Sequence, residues 1–504
     1  MKESRVENTL FGASLGANLE AFLYDINPWW RGQPMRPLPP FHRWLFEHTL
    51  QRLKSGLSAV TVLRGPRQVG KTTLQEHIID HLLHREDVDP RRIFRVQFDE
   101  IPSLKGLDDP ILSLCRWFES RILGDSFNAW AHKGKPVFLF FDEVQNLSDW
   151  APQVKALVDH HAVRVLLTGS SALRIEHGRD SLAGRISTLE LGTLLLREVA
   201  AMRGWGTLDP LLPLNGLKVL KERVFWEELR DYGLRHRTIR NQGFAAFSER
   251  GGYPVAQART DRPWEEVADQ LNETVIRRVI QHDLRLGERG RKRDQDLLEE
   301  IFRLCCRYAG QSPGQSIFAQ ELRMALTANV GWQRVLAYLR FLNDTLLIRL
   351  VQPLELRLKR RKGRPKICLC DHSLRASWLQ EVIPLTPEGL QTAPHMSNLA
   401  GHIAESIVGY FLGTIPGLDL AWFPERGMEP EVDFVMTVGE HRIPLEVKYR
   451  QHIDEHRDTL GLRAFIEKTV YQAPFGVLVT LSDAVSVTDP RIVPLPLSSL
   501  LLMR

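Results

Sequence analysis

The stretch TVLRGPRQVGKTTL, from Thr61 to Leu74, contains residues whose types and spacing suit the binding of a nucleoside triphosphate. Gly65 and Gly70 allow the backbone to fold so tightly that consecutive amides face phosphate oxygens. Lys71 would neutralise the β- and γ-phosphates, and the Thr72 hydroxyl would hold Mg²⁺. The alternative is a glycine-rich turn with a chance lysine. The predicted ATP contacts in this loop are Gly65, Pro66, Arg67, Gln68, Val69, Gly70, Lys71, Thr72 and Thr73.

The sequences on either side of this loop predict the elements that hold it. The apolar run LSAVTVLRG before the turn has the pattern of a short strand. Apolar residues at helical spacing in TTLQEHIIDHLL predict a helix directly after the turn. The positive end of this helix would point at the phosphates. This order of strand, loop and helix is the context that the motif needs, and it disfavours the chance interpretation.

A second segment, KPVFLFFDEVQNLSDW, places two carboxylates directly after an apolar run from Val137 to Phe141. Such a run is typical of a buried parallel strand that ends at the carboxyl edge of an α/β sheet, where ligands bind. Asp142 would contact Mg²⁺ through water, and Glu143 would act as the catalytic group that polarises the attacking water. Two separate segments therefore predict the same nucleotide site.

A third strand pattern, VRVLLTGSSA, ends in small polar residues. Thr168 and Ser170 would sense the γ-phosphate or orient the attacking water. Capping of the strand end is the alternative explanation for these side chains.

These segments together resemble a widespread prokaryotic group of AAA-type P-loop ATPases that carry C-terminal extensions. The resemblance extends from about Asn27 onward and includes SLAGRISTLELGTLLLREV and GGYPVAQ. It implies an α/β fold with a parallel sheet and Mg²⁺-dependent ATP hydrolysis. It also implies that the arginine of LAGR, here Arg185, contacts the γ-phosphate or faces a neighbouring subunit. A surface salt bridge is the alternative role for Arg185, and a homo-oligomer or a partner protein is left open.

The composition limits the class of protein. With 504 residues, 43% hydrophobic and 25% charged, the chain is long enough for several domains with separate cores. Five scattered cysteines suit neither a disulfide framework nor a zinc site, and they predict a reducing cytosol. The N-terminus lacks a signal-peptide pattern and no stretch approaches about 18 uncharged apolar residues. We therefore expect a cytoplasmic protein with no membrane partner.

The region from Leu297 predicts three compact helices, with Val335, Leu339, Leu342 and Leu346 on one apolar face of the third. Two strand-like runs, IRLVQPLEL and PKICLCDHSL, then flank a basic segment. This order is typical of a winged helix-turn-helix, which the resemblance to the ATPase family also implies.

The basic segment would form the wing and contact DNA phosphates, which gives affinity without sequence choice. Winged helices also serve as dimerisation or docking units, and a charged hairpin tip is often only solvated. The predicted DNA-binding residues are Lys359, Arg360, Arg361, Lys362 and Arg364.

The C-terminal region has four ionisable residues in a recognisable order. Glu405 lies on a predicted helix, Asp433 on the first strand of a predicted hairpin, and Glu446 and Lys448 on one face of the second strand. This order resembles that of PD-(D/E)xK nucleases. The resemblance implies that Glu405, Asp433 and Glu446 hold Mg²⁺ or Mn²⁺, and that Asp433, Glu446 and Lys448 are catalytic. Alternating charge on a solvated sheet face is the alternative.

We therefore predict an α/β protein that binds and hydrolyses ATP and acts on DNA, with a possible metal-dependent nuclease module. In the alternative, it is an ATP-dependent switch that binds DNA or a protein and does not cleave. A protein-remodelling ATPase without a nucleic-acid partner is a third hypothesis. The predicted segments are a lead-in at 1–45, an AAA-type ATPase domain at 46–205, a helical linker or lid at 206–295, a winged helix at 296–385 and a restriction-endonuclease-like domain at 395–504.

Overall fold

The fold was obtained as a computed structural model. Contacts between Cα atoms divide the chain into two units. One contains Met1–Gly65 and Gly70–Leu191, and the other contains Pro66–Val69 and Gly192–Arg504. The structure describes residues 15–101, 104, 107–147, 149–169, 182–213, 216–283, 294–326, 330–356, 359–360, 363–425 and 427–504.

The first unit is built around a parallel sheet with the strand order β2-β3-β4-β1-β5. Its strands are mostly apolar and buried, as expected of a sheet that is covered on both faces. Because the strands are parallel, their carboxyl ends, including those of β1 and β3, meet at one edge of the sheet. The strands are β1 (Val60–Arg64), β2 (Ile93–Gln97), β3 (Val137–Asp142), β4 (Val163–Gly169) and β5 (Ile186–Glu190).

Helices pack around this sheet and share its apolar core, which includes side chains from β1 to β4. Short 3-10 turns occur at Pro28–Arg31, Pro90–Arg92 and Val144–Asn146, and a π-helical segment at Glu119–Leu123. The helices are α1 (Ala17–Ile26), α2 (Phe46–Ser55), α3 (Lys71–His84), α4 (Pro110–Phe118), α5 (Phe127–His132) and α6 (Trp150–His160).

The segment before α2 is tied to the edge strand β2 by side-chain hydrogen bonds. Asn27 Nδ2 donates to the carbonyl oxygen of Arg95 at 2.9 Å, and the Arg95 amide donates to Asn27 Oδ1 at 2.8 Å. The indoles of Trp29 and Trp30 both donate to the carbonyl oxygen of Ile93, at 3.2 and 2.9 Å. These side chains satisfy backbone groups that an edge strand would otherwise leave unpaired.

The second unit begins with helices. Leu217–Lys221 is a 3-10 segment, and Asn272–Arg277 and Val279–Asp283 are π-helical. The helices of this part are α7 (Leu196–Met202), α8 (Arg223–Arg235), α9 (Arg237–Arg250), α10 (Pro254–Ala258) and α11 (Trp264–Leu271).

Three further helices precede an antiparallel pair of strands, in the order that the sequence predicts. Strand β6 (Ile348–Pro353) pairs with β9 (Lys366–Leu369), and short strands β7 (Glu355–Leu356) and β8 (Lys359–Arg360) pair between them. The helices are α12 (Gln295–Arg307), α13 (Gln315–Leu326) and α14 (Trp332–Asp344).

The C-terminal strands form a mixed sheet that also includes β6 and β9, in the order β14-β13-β12-β11-β10-β6-β9. The predicted boundary between residues 385 and 395 therefore falls within a region whose strands are hydrogen-bonded into one sheet. The predicted hairpin is confirmed, because β11 and β12 pair antiparallel. The strands are β10 (Asp419–Phe423), β11 (Val432–Val438), β12 (His441–Lys448), β13 (Gly476–Thr480) and β14 (Ile492–Pro496).

Helices accompany this sheet, and short 3-10 turns occur at Pro394–Met396 and Thr469–Tyr471. Across the part of the chain that the structure describes, no helix is both long enough and apolar enough to cross a bilayer. The helices are α15 (His372–Leu379), α16 (Pro387–Thr392), α17 (Ser397–Gly413), α18 (Glu455–Asp458), α19 (Leu460–Glu467) and α20 (Leu497–Leu500).

Candidate functional site

The loop between β1 and α3 contains backbone in the left-handed region. Gln68 has φ 62° and Gly70 has φ 89°, and helix α3 begins at the next residue, Lys71. A side chain at position 70 would be strained in this conformation, which explains the glycine. Lys71 is buried, and its ammonium donates to the carbonyl oxygen of Gly65 at 3.1 Å. The lysine therefore reaches back across the loop that the sequence predicts to bind phosphate.

Asp142 joins three elements at the carboxyl edge of the first sheet. It is the last residue of β3 and is 1% exposed. Thr72, in the first turn of α3, donates from Oγ1 to Asp142 Oδ2 at 2.8 Å, and Thr168 of β4 donates to Asp142 Oδ1. A hydroxyl and a carboxylate are the oxygen ligands that Mg²⁺ takes, together with water and phosphate, so these residues fit the predicted metal.

Further carboxylates surround Asp142. Burial and the nearby charge of Glu143 raise the pKa of Asp142, and this effect outweighs the hydrogen bonds from the two threonines. Glu143 has φ 51°, and Gln145 donates to its carboxylate. Partial burial and the charges of Glu143 and Asp142 also raise the pKa of Asp99. Sequence reasoning missed Asp99, which lies two residues after the end of β2.

The other predicted contacts of the loop differ in exposure. Pro66 and Val69 are buried, Gln68 is exposed, and Arg67 and Thr73 are half-buried. The predicted contact Ser170 lies outside the described residues.

Arg185 lies at the amino ends of the strands, whereas the loop follows the carboxyl end of β1. Its carbonyl oxygen accepts from the amide of Val60, the first residue of β1, whereas the loop follows the last residue, Arg64. A strand of this length separates the two ends by about 16 Å. The guanidinium is paired with Asp159. The parallel pairing of β5 with β1 therefore places Arg185 beside the amino end of β1, and its contact with a γ-phosphate or with a neighbouring subunit stays a prediction.

The predicted C-terminal residues are brought together around a lysine that the sequence analysis did not select. Asp433 is 6% exposed, and its Oδ1 accepts from the ammonium of Lys366 at 2.9 Å. Its Oδ2 accepts from the backbone amide of Val447 at 2.9 Å. Both oxygens of this carboxylate therefore have a donor from the protein.

Lys366 has further partners. Its Nζ lies 3.3 Å from Glu405 Oε2 and 3.5 Å from Glu431 Oε1, and the side chain is 2% exposed. The ammonium also lies 5.6 Å from the ring centroid of Trp422 and 5.1 Å from that of Phe434. Burial alone would lower the pKa of Lys366, but the neighbouring carboxylates outweigh burial and hold it well above its usual value.

Glu446 and Lys448 form a separate pair on one face of β12, as the period of a strand predicts. Lys448 Nζ lies 2.5 Å from Glu446 Oε1, whereas Glu446 Oε2 has no hydrogen-bond partner among the residues described. Burial and the charge of Asp433 raise the pKa of Glu446 to about 8. The lysines have the opposite effect on Asp433, whose pKa they lower despite its burial.

The arrangement of these carboxylates does not fit a divalent cation. Two of the three predicted ligands, Glu405 and Asp433, contact the ammonium of Lys366. Within the described ranges, no group of three or more His, Cys, Asp or Glu side chains is placed to hold a metal ion. Lys366 could have been identified from the sequence, because it is the one charged residue of the otherwise apolar strand KICL.

The predicted wing residues lie on and beside the short strands. The backbones of Lys359 and Arg360 pair with β7, while Arg361 and Lys362 lie outside the described residues. Arg364 is exposed, and its carbonyl oxygen accepts from Ser312 Oγ and from the indole of Trp422. Lys366, the next basic residue along the chain, is the first residue of β9 and is buried.

Comparison with known proteins identifies one part of the chain. Residues 58–200 match the model of an AAA domain, and residues 241–382 match that of a domain of unknown function. None of the curated proteins compared is significantly similar to the chain. Residues 58–200 are therefore an AAA-type P-loop domain.

Two solved structures give the following similarities. A Walker-type ATPase of Pyrococcus abyssi has 15% identity and a TM-score of 0.38, over 69% of this chain and 99% of that one. The Hsp104–ADP complex of S. cerevisiae has 16% identity and a TM-score of 0.27, over 61% of this chain and 40% of that one.

Proposed function

We propose that the chain hydrolyses ATP with Mg²⁺ at the loop between β1 and α3, and uses this cycle to change how it binds DNA. The observation that carries the first part is the pair of hydrogen bonds that Asp142 accepts from Thr72 and Thr168. These bonds join the first turn of α3, the acidic end of β3 and the end of β4 at one edge of the sheet. A Mg²⁺-bound triphosphate is the ligand that this set of residues suits.

Each residue has a defined part in this proposal. Lys71 would exchange its bond to the carbonyl oxygen of Gly65 for the β- and γ-phosphates. Thr72 and Asp142 would hold Mg²⁺, which when bound offsets the charge that develops on the transferred phosphoryl group. Glu143 would orient the attacking water and accept its proton.

Two substitutions separate binding from turnover. Lys71→Ala should weaken ATP binding, and Glu143→Gln should bind ATP but turn it over slowly. Lys54→Ala and Glu47→Gln, which change exposed residues of α2, are the matched controls. ATP affinity and phosphate release are measured for all four variants. Full turnover in either Lys71→Ala or Glu143→Gln would contradict the proposal.

The DNA-binding part rests on the order of α12, α13, α14 and the paired strands β6 and β9, with the basic residues between them. This is the element order of a winged helix, whose wing contacts the DNA backbone. The proposed contacts are Lys359, Arg360, Arg361, Lys362 and Arg364. A role for Arg185 at a neighbouring chain's nucleotide would require a homo-oligomer, and it stays a prediction.

For the C-terminal module, the position of Lys366 favours the alternative in which the chain is a switch that does not cleave. The resemblance to PD-(D/E)xK nucleases predicts cleavage at Asp433, Glu446 and Lys448 with Mg²⁺ or Mn²⁺. Cleavage by such a site needs carboxylates that are available to a metal ion. Here the Asp433 carboxylate is engaged by an ammonium and a backbone amide.

A further inference from the structure

Lys366 occupies the kind of position that a bound cation would take. Its ammonium lies within 2.9 to 3.5 Å of oxygens from Asp433, Glu405 and Glu431, which come from two different elements and a connecting segment. The side chain begins on β9, so the positive charge is covalently attached to the chain. The charge cluster is satisfied without an ion from solution.

We propose that the Lys366 ammonium takes the place of the divalent cation in the cluster of Asp433, Glu405 and Glu431, so that the native C-terminal site neither binds Mg²⁺ or Mn²⁺ nor cleaves phosphodiesters. The cluster instead joins β9 to β11 and to helix α17. A site that resembles a nuclease in the order of its residues is thus converted into a structural link inside the second unit.

Competition between the two cations explains why the native site excludes a metal. A divalent ion at Asp433 would lie a few ångströms from the ammonium in a buried environment, where like charges repel strongly. The ion would therefore have to displace Lys366. The lysine is held by the carboxylates and packs beside the rings of Trp422 and Phe434, so displacement would leave its charge without these partners.

The same reasoning predicts that removing the ammonium creates a metal site. Without Lys366, the buried Asp433 and the half-buried Glu405 would lose the cation that β9 supplies. Such a cluster binds Mn²⁺ readily because its oxygen atoms are hard ligands. The buried charge would also destabilise the fold in the absence of metal.

The test uses the full chain without nucleotide and compares wild type, Asp433→Asn, Lys366→Met and Lys366→Met/Asp433→Asn. Lys468→Met changes an exposed lysine of the same sheet region that pairs with Glu429, and it serves as the control. Mn²⁺ binding is followed by calorimetric titration, thermal unfolding is recorded with and without Mn²⁺, and nicking of supercoiled plasmid is assayed.

We expect wild type and Lys468→Met to show no Mn²⁺ binding that depends on Asp433, and no nicking. Lys366→Met should melt at a lower temperature than the wild type, bind about one Mn²⁺ and be stabilised by it. The double variant Lys366→Met/Asp433→Asn should not bind this ion or be stabilised by it. Mn²⁺ binding or nicking by the wild type that Asp433→Asn removes would overturn the proposal. So would a Lys366→Met chain that keeps the wild-type melting temperature and binds no Mn²⁺. If Lys366→Met does not fold, the wild-type and Asp433→Asn pair decides alone.

Discussion

The AAA domain and the C-terminal module each contain a buried aspartate at a strand, but the two carboxylates have different partners. Asp142 accepts hydrogen bonds from two neutral hydroxyls, and its pKa is raised. Asp433 accepts from an ammonium and a backbone amide, and its pKa is lowered despite burial. One charge is largely uncompensated by the protein, and the other is neutralised by a lysine.

This difference shows why a buried carboxylate alone does not identify a metal site. Burial penalises the charged form unless an opposite charge lies nearby. At Asp142 a cation from solution can supply that charge, and hydroxyls can make way for it. At Asp433 the Lys366 ammonium already supplies that charge, so a metal ion would add little favourable electrostatic energy.

The largest expected effect is on stability at Lys366. Lys366→Met would leave three carboxylates without their buried cation, and loss of one partner from such a cluster costs about 3–5 kcal/mol of unfolding free energy. Denaturant unfolding, followed for the transition of residues 192–504, measures this loss. A change below about 1 kcal/mol would mean that the ammonium does not neutralise the cluster, and the contrast with Asp142 would disappear.

The next effect concerns turnover at Asp142. Asp142→Asn should lower kcat for ATP by at least about 10²-fold, because metal-assisted charge stabilisation amounts to several kcal/mol and each 1.4 kcal/mol is tenfold. Asp80→Asn, an exposed aspartate on α3, is the control in steady-state assays. Unchanged kcat in Asp142→Asn would show that the uncompensated carboxylate has no part in catalysis.

A smaller effect is expected from the predicted wing, the basic residues between Lys359 and Arg364. Replacing Lys359, Arg360, Arg361, Lys362 and Arg364 by Gln should lower DNA affinity and reduce the log–log salt slope by up to about 4.5, at about 0.9 for each lost phosphate contact. Fluorescence titrations at several salt concentrations measure the slope.

The control for the wing replaces five exposed basic residues of the first unit by Gln: Lys54, Arg85, Arg91, Arg116 and Lys133. It should keep the slope of the wild type. An equal loss in both variants, or no DNA binding by the wild type, would favour a protein-remodelling ATPase.

The smallest effect is expected at Arg185, which is 38% exposed and paired with Asp159. Arg185→Ala should change the unfolding free energy by less than about 1 kcal/mol, since exposed ion pairs contribute little. Its turnover in dilute solution should equal that of the wild type. A defect that grows with protein concentration would instead assign Arg185 to a neighbouring chain's nucleotide.

Sequence patterns predicted the elements that are determined by residues close together in the sequence. Strand β1 ends at Arg64, β3 at Asp142 and β4 at Gly169, each within or directly after its predicted apolar run. Helix α3 begins at Lys71, one residue before the predicted segment TTLQEHIIDHLL. The alternation in residues 431–449 also predicted the β11–β12 hairpin. In these places neighbours in sequence determine both the element and the position of its polar residues.

The features that sequence reasoning missed depend on pairing between distant segments. Lys366 follows a segment rich in basic residues, and its partners Glu405 and Asp433 are 39 and 67 residues away. The edge of the sheet at which Arg185 lies is set by the pairing of β5 with β1. Asp99 joins Glu143 and Asp142 only because β2 and β3 are parallel neighbours. No local sequence pattern predicts these contacts between distant segments.

The most direct test of the contrast between the two aspartates is to count the Mn²⁺ ions that the wild-type chain binds, by electron paramagnetic resonance, with and without an ATP analogue that is not hydrolysed. The account predicts that one bound Mn²⁺ per chain appears only with the nucleotide and is lost in Thr72→Ala. An ion that binds without nucleotide and is lost in Asp433→Asn, or the absence of any bound ion with the analogue, would contradict it.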